Sequence, residues 1–235
     1  MTFNANSPNP ISFWRLWIPL VFQTVLILAV PAQAVYTYLT GKTVILQTVP
    51  IDPYELLRGY SQTLRYDIST QESLRELPGW EELPKQQQQN GNKLSLLKPG
   101  TLFHVILEAP IPTDSTGLPQ AWKPVAVSIE RPSNLPVNQV ALKGLVQAGF
   151  IEYGLETYYI PEDQREEINA DLRAAARANS NQLQQNPVQS SSNRPPQKPP
   201  VVMEIKVNER GDAVPISLWA RIGRDSNQRI RNYRF

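Results

Sequence analysis

Residues 201–222, VVMEIKVNERGDAVPISLWARI, decide the fold class. Val201, Met203, Ile205 and Val207 recur at every second position, the period of a strand with one buried face. Glu209-Arg210-Gly211-Asp212 breaks the run as a turn. Val214–Ile222 then returns as the second strand of a hairpin, interrupted at Pro215 because proline has no N–H for the ladder. The adhesion-like tripeptide Arg210-Gly211-Asp212 needs no role beyond this turn.

The same period spreads outward from the hairpin. Thr43–Val49 is rich in β-branched residues, and Thr101–Glu108, Val125–Ile129 and Val140–Val146 read as strands. Ser61–Ser69 alternates, with Leu64, Tyr66 and Ile68 on one face and Thr63, Arg65 and Asp67 on the other. Phe150–Ile160 is aromatic and apolar. Between strands, Ala109–Gln120 carries three prolines plus Asp114 and Gly117 and must be a long turn. Gln86–Gln89 with Asn90-Gly91-Asn92 reads as a solvated loop. Asp52-Pro53-Tyr54-Glu55 resembles a capping box that opens one helical turn and stops at Gly59.

Only after Pro161 does a longer helical period appear. Ile168, Leu172, Ala175 and Ala176 share one face, with Glu162, Asp163, Glu166 and Glu167 at the start and Arg173 and Arg177 at the end, the order that suits a helix macrodipole. Residues 179–200 have almost nothing to bury and read as a disordered insert. About eight strands and one amphipathic helix predict a mainly-β sandwich or barrel-like domain over residues 40–235.

The N-terminal segment is different. From Leu16 to Gly41 no residue is charged. Trp14 and Trp17 lie at one end of the apolar run and Tyr36 and Tyr38 at the other. Trp17 to Tyr36 spans about 28 Å as a helix, close to the ~30 Å hydrocarbon thickness. Aromatics at both ends suit the two membrane interfaces. The preferred reading is a transmembrane anchor over 16–39, following a short cytoplasmic segment, 1–15. Arg15 favours that orientation, so everything after the span would be extracytoplasmic. The rival reading is a signal peptide cleaved near Ala34, after Ala32-Gln33-Ala34.

Composition excludes several chemistries. The chain has 235 residues, no cysteine and one histidine. Disulfides, thiolate catalysis and Cys-ligated metal are ruled out, and a multi-His metal site is improbable on one histidine. A net charge of +2 is too small to imply nucleic-acid binding. His104 reads as a satisfied, partly buried residue sharing a strand face with Leu102 and Ile106. Arg58 and Asp67 read as a surface pair. Glu162, Glu166, Glu167 and Asp171 form a solvated helix face rather than a cation site. A Ser/Lys peptidase would need Ser61 with Lys143, a weak pairing because Lys143 lies in no apolar strand that would depress its pKa. The C-terminal arginines, Arg221, Arg224, Arg229, Arg231 and Arg234, interleave with Tyr233 and Phe235. They read as a slightly frayed, solvated terminus, with anionic lipid headgroups or an acidic partner as the alternative contact.

The series Asp52-Pro53, Leu57-Arg58-Gly59, Leu64, Tyr66 and Ile68-Ser69 resembles a family of bacterial membrane-anchored proteins named for a G-D-Y-x-x-L-x-Y motif. Tyr158-Tyr159-Ile160-Pro161-Glu162 resembles that family's second conserved-order segment, Y-Y-V-P-E, and the final hairpin matches its last strands. The name-giving motif is degenerate here: Gly59, Leu64 and Tyr66 match, but its Asp and first Tyr fall on Tyr60 and Ser61. The resemblance implies an anchored extracytoplasmic domain, often encoded beside or fused to a polytopic membrane protein. It implies no catalysis and no cofactor.

The function expected is therefore a non-enzymatic, membrane-anchored interaction or assembly module, its partners the lipid bilayer and a polytopic membrane protein. A small-ligand-binding domain with a pocket near Tyr66 and Tyr158, ligand unknown, is the alternative. The peptidase comes third.

Overall fold

In a computed structural model, which describes residues 13–48, 61–86, 96–111, 117–159, 170, 201–222 and 229–234, one long helix precedes a mainly-β unit. The chain divides into Met1–Tyr36 and Thr37–Phe235. Helix α1 (Phe13–Thr40) is 28 residues long and holds Pro19 and Pro31. At ~1.5 Å per residue it measures about 42 Å, and it is long and apolar enough to cross a membrane. Each proline withholds one backbone donor, a loss that membrane helices tolerate.

The β-unit holds twelve strands among the described residues: β1 (Lys42–Gln47), β2 (Ser61–Thr63), β3 (Lys85–Gln86), β4 (Leu96–Leu97), β5 (Leu102–Glu108), β6 (Lys123–Ser128), β7 (Gln139–Gln147), β8 (Phe150–Glu152), β9 (Thr157–Tyr159), β10 (Val201–Val207), β11 (Ala213–Ile222) and β12 (Arg229–Arg234). Eight of them build two open, antiparallel four-stranded sheets, ordered β1-β10-β11-β12 and β6-β5-β7-β8. The remaining four pair as β2-β9 and β3-β4.

The two large sheets share one core. Val44, Leu46, Met203, Ile205 and Leu218 come from one, and Phe103, Val105, Leu107, Leu142 and Val146 from the other. This is the sandwich expected from period 2, since each strand gives alternate side chains to the space between the sheets. Both sheets slip register at a proline. The ladder shifts between Glu204 and Ile205, opposite Pro215, and between Ile106 and Leu107, opposite Pro124. Proline cannot donate to the ladder, so a bulge absorbs the lost bond.

Three expectations need correction. Ser61–Ser69 is not one strand. Only Ser61–Thr63 forms a strand, Tyr66 makes an isolated bridge to Thr48, and Asp67–Ser69 closes into a 3-10 turn. The cause is local: the Ile68 N–H donates to Asp67 Oδ1 at 2.9 Å and the Tyr66 N–H to Ser69 Oγ at 3.2 Å, so short polar side chains offer the backbone an alternative to a ladder. The predicted faces survive the break, because Leu64, Tyr66 and Ile68 are all buried.

Second, Arg224 and Phe235 of the C-terminal run lie outside the described residues, but Arg229–Arg234 is no frayed end. It is β12, with Tyr233 buried opposite Leu218. Third, the Arg210-Gly211-Asp212 turn does more than reverse the chain. The Lys143 N–H of β7 donates to Gly211 O at 3.0 Å, and Lys143 Nζ lies 3.1 Å from Asp212 Oδ1. The hairpin tip of one sheet thereby seats on the other. A Cβ on Gly211, at φ +85°, would come 3.1 Å from Ala141 O and 3.2 Å from His104 Cδ2. Only glycine fits both the turn and the approach.

The β-unit begins inside the last helical turn. Thr37 is buried, and Asn208 Nδ2 donates to its Oγ1 at 2.8 Å. Gly41 N–H closes the turn on Thr37 O at 2.8 Å. A Cβ there would meet that oxygen at 2.4 Å. The short helix expected at Asp52–Gly59, the 179–200 insert and, apart from the helical Ala170, the amphipathic helix after Pro161 lie outside the described residues.

Candidate functional site

The two segments that carry the family resemblance meet in space. β2 pairs antiparallel with β9, setting Ser61 opposite Tyr159 and Gln62 opposite Tyr158. The Leu64 N–H continues the pairing onto Glu156 O at 2.7 Å. Asp52, Pro53, Arg58, Gly59, Pro161 and Glu162 lie outside the described residues, and Tyr158 and Tyr159 are placed by their backbone alone.

Below that pairing, the chain from Tyr66 to Gln71 clasps the chain from Gly149 to Glu156. Tyr66 Oη donates to Leu155 O at 2.8 Å, and Tyr153 Oη returns to Ile68 O at 2.6 Å. Glu156 folds back, accepting the Tyr153 N–H at 2.5 Å and the Leu155 N–H at 2.9 Å. Gln71 bridges outward, donating to Gly149 O at 3.0 Å and accepting the Leu97 N–H at 2.8 Å. Every polar group named in the clasp has a partner, as buried polar atoms require. Arg65, on the outer side, stacks 4.5 Å from the Phe150 ring centroid.

Burial sets the electrostatics here. It raises the Asp67 carboxyl from 3.8 to about 6, against the backbone N–H groups of Ile68 and Asp67, which favour the anion. It also pushes the Tyr153 hydroxyl well above its usual range, helped by the negative charges of Asp67 and Glu156. Asp67 is thus a half-buried group held by its own backbone, and Arg58, expected as its surface partner, lies outside the described residues.

A raised acid favours the protonated fold. Its contribution is fully present below about pH 4, is lost as pH rises towards about 6, and stays lost above that. Asp67→Asn keeps an oxygen for Ile68 and removes the titration. It should gain about 1–2 kcal/mol at pH 7.5, allowing for remaining exposure, and flatten the stability slope between about pH 4 and 6. Urea unfolding across that pH range checks it, and an unchanged slope would assign the titration elsewhere.

His104 is only partly as expected. It is half-buried, but Leu102 on its face is exposed, while Ile106 is buried. Its Nδ1 is buried without a hydrogen-bond partner, so the ring is not satisfied there. Burial lowers its pKa, opposed by the backbone of Ile129 and Arg210 and assisted by the charges of Arg131 and Lys143. Among the described residues, no three His, Cys, Asp or Glu groups stand together as a metal site would need. Lys143 is paired with Asp212 and partly exposed, the reverse of the dry setting that makes a lysine a base. The described residues therefore assemble no nucleophile–base pair at Lys143.

Tyr153, Glu156 and Gln71 were not singled out by the sequence. Glu156 follows Gly154-Leu155, where an acidic side chain near a turn can accept backbone N–H groups. Nothing in the spacing shows which segment Tyr153 grips 85 residues away. On α1, Trp14, Trp17, Tyr36 and Tyr38 are all exposed.

A family model described as "GDYXXLXY protein" matches residues 23–218, most of the chain. No curated protein and no solved structure matches. The match runs from within α1 through β2, the clasp and β9 into β11, so it takes in both segments on which the resemblance was drawn. This chain belongs to the GDYXXLXY protein family.

Proposed function

We propose that this chain is a non-enzymatic, single-pass bacterial membrane protein whose β-unit lies outside the cytoplasm and serves as an interaction or assembly module for a polytopic membrane protein. The observation that carries the reading is α1. Its large apolar side chains from Leu16 to Leu28 are each at least half exposed, on every side of the helix. Such a helix belongs in lipid or against other membrane helices. Ala32-Gln33-Ala34 continue α1 without a break, and Thr37–Thr40 are built into the β-unit, which supports a retained anchor over a cleaved signal. Arg15 supports a cytoplasmic N-terminus.

Two polar side chains, Gln23 and Thr24, interrupt the apolar run of α1 and suit contact with a partner helix, and of these Thr24 is already engaged, its Oγ1 donating to Leu20 O at 2.9 Å. Gln23, exposed, is left as the polar contact. Gln23→Leu should lower recovery of a stoichiometric membrane partner about three- to tenfold in affinity purification from solubilised native membranes, with membrane insertion intact. Thr24→Val should leave recovery unchanged. Full recovery with Gln23→Leu would dismiss the span as the contact.

The ligand-binding alternative gains nothing from Tyr66. That ring is wholly buried and its hydroxyl is occupied, so it packs the clasp rather than lining a pocket.

A further inference from the structure

The geometry points to a lipid-docking rim at the end of the β1–β10 ladder that follows α1, with Lys42, Trp122 and Val137 on one side of the sheet and Lys206 with Tyr38 on the other, that rests on anionic headgroups. It depends on the anchored reading above, but not on any protein partner.

Chain connectivity sets the location. Lys42 follows the last residue of α1 by two positions. Any bilayer that takes up the apolar helix therefore has an interface within reach of the Lys42 side chain, and long lysine stems extend to such interfaces.

The chemistry suits that interface. Lys206 Nζ donates to Tyr38 O at 2.7 Å and stands 5.2 Å from the Tyr38 ring centroid. Lys42 Nζ donates to Val137 O and stands 5.3 Å from the Trp122 ring centroid. Carbonyls and ring faces orient an ammonium without neutralising it, and each ammonium has three donors. Neither lysine has a carboxylate within ion-pair distance among the described residues. Glu108 and Glu204 keep their charge but are held by neutral donors, Glu108 by Asn138 and Gln139 and Glu204 by Ser217 and Trp219, and neither reaches ion-pair distance of the two lysines.

Apolar side chains accompany the two charges. Val137 is 92% exposed and Leu39 70% exposed, with no core to enter. Two cations without an ion-pair partner among the described residues, two amphipathic rings and isolated apolar side chains match a headgroup layer, where aromatic rings and short apolar insertions are stabilised and basic side chains are attracted to anionic lipid.

The cysteine-free chain makes the test direct. Val137→Cys, spin-labelled on the full-length protein, is reconstituted into nanodiscs of phosphatidylcholine alone or mixed with phosphatidylglycerol. Co-elution with the discs reports anchoring, separately from the docking that the label reports. In anionic discs the label should be shielded from a water-soluble nickel chelate and become accessible to oxygen. Lys42→Gln with Lys206→Gln should reverse this, weakening docking about fivefold per lysine, and high salt should act likewise. An unchanged melting temperature shows the double variant is folded.

A label equally water-exposed in both disc types would overturn the proposal, as would shielding that survives the double substitution in a folded variant. Shielding seen in native membranes but absent from lipid-only discs would assign the rim to a protein and overturn it too.

Discussion

Tyr66→Ala should destabilise the β-unit by about 3–5 kcal/mol, the range for removing a large buried aromatic. Tyr66 is wholly buried in the shared core, and its hydroxyl is one of two that tie the clasp together. Tyr66→Phe keeps the ring and leaves Leu155 O without this donor, so it should cost about 1–2 kcal/mol. Urea unfolding of the full chain in mild detergent, followed by tryptophan fluorescence, separates the two effects, with buried Trp80 as an internal reporter. This outcome would mark the motif tyrosine as architectural. The opposite result, Tyr66→Phe with full stability but impaired partner recovery, would make the hydroxyl a recognition group and sink the structural assignment.

Gly79→Ala should cost about 3 kcal/mol or more. A Cβ on Gly79 would lie 1.9 Å from Val127 O, inside any permitted contact, and the residue has φ +87°. The obstacle is backbone, held by the Val127 N–H bond to Pro78 O at 2.9 Å, so relief must come from moving β6 or the Trp80–Glu82 turn. Either displacement disturbs Trp80, a core residue. The expected cost combines ~1–3 kcal/mol of backbone strain with ~1–3 kcal/mol of overpacking. Gly100→Ala is the matching control. It has φ +82° with nothing within 4 Å of the added carbon, so only the strain should appear. Equal losses at the two glycines would mean that close approach to β6 is not what Gly79 provides.

Both predictions concern contacts that join segments far apart in sequence, and this is where sequence reading stopped. Leu64, Tyr66 and Ile68 could be assigned to a buried face because alternation is a local property of the chain. That the same stretch leaves the strand at Asp67 depends on two side-chain hydrogen bonds to backbone, from which alternation takes no signal. β12 was hidden for a related reason. Arginines at 229, 231 and 234 fill the chain around Tyr233, and the buried face shows only once Leu218 stands opposite. The Arg210-Gly211-Asp212 turn was legible as a turn, but its seat on Lys143 and against His104 was not. A turn sequence states how the chain reverses and says nothing about what it then touches.

The sequence by itself determined the mainly-β class, the apolar N-terminal span, the family and Pro215 as the point where the hairpin's return strand is interrupted. Each of these follows from local periodicity, local composition or ordered motifs, all readable without a partner residue. Tertiary structure alone decided that the hairpin and β5–β8 form two sheets over one core, and that the two motif segments pair as β2 and β9. It also decided that reciprocal tyrosine hydroxyls lock the clasp beneath them, and that Lys42 and Lys206 leave opposite faces of the β1–β10 ladder at one end. Those arrangements come from long-range pairing. Its register is set by which buried faces and backbone donors can be satisfied at the same time, a condition on the whole chain rather than on any one segment.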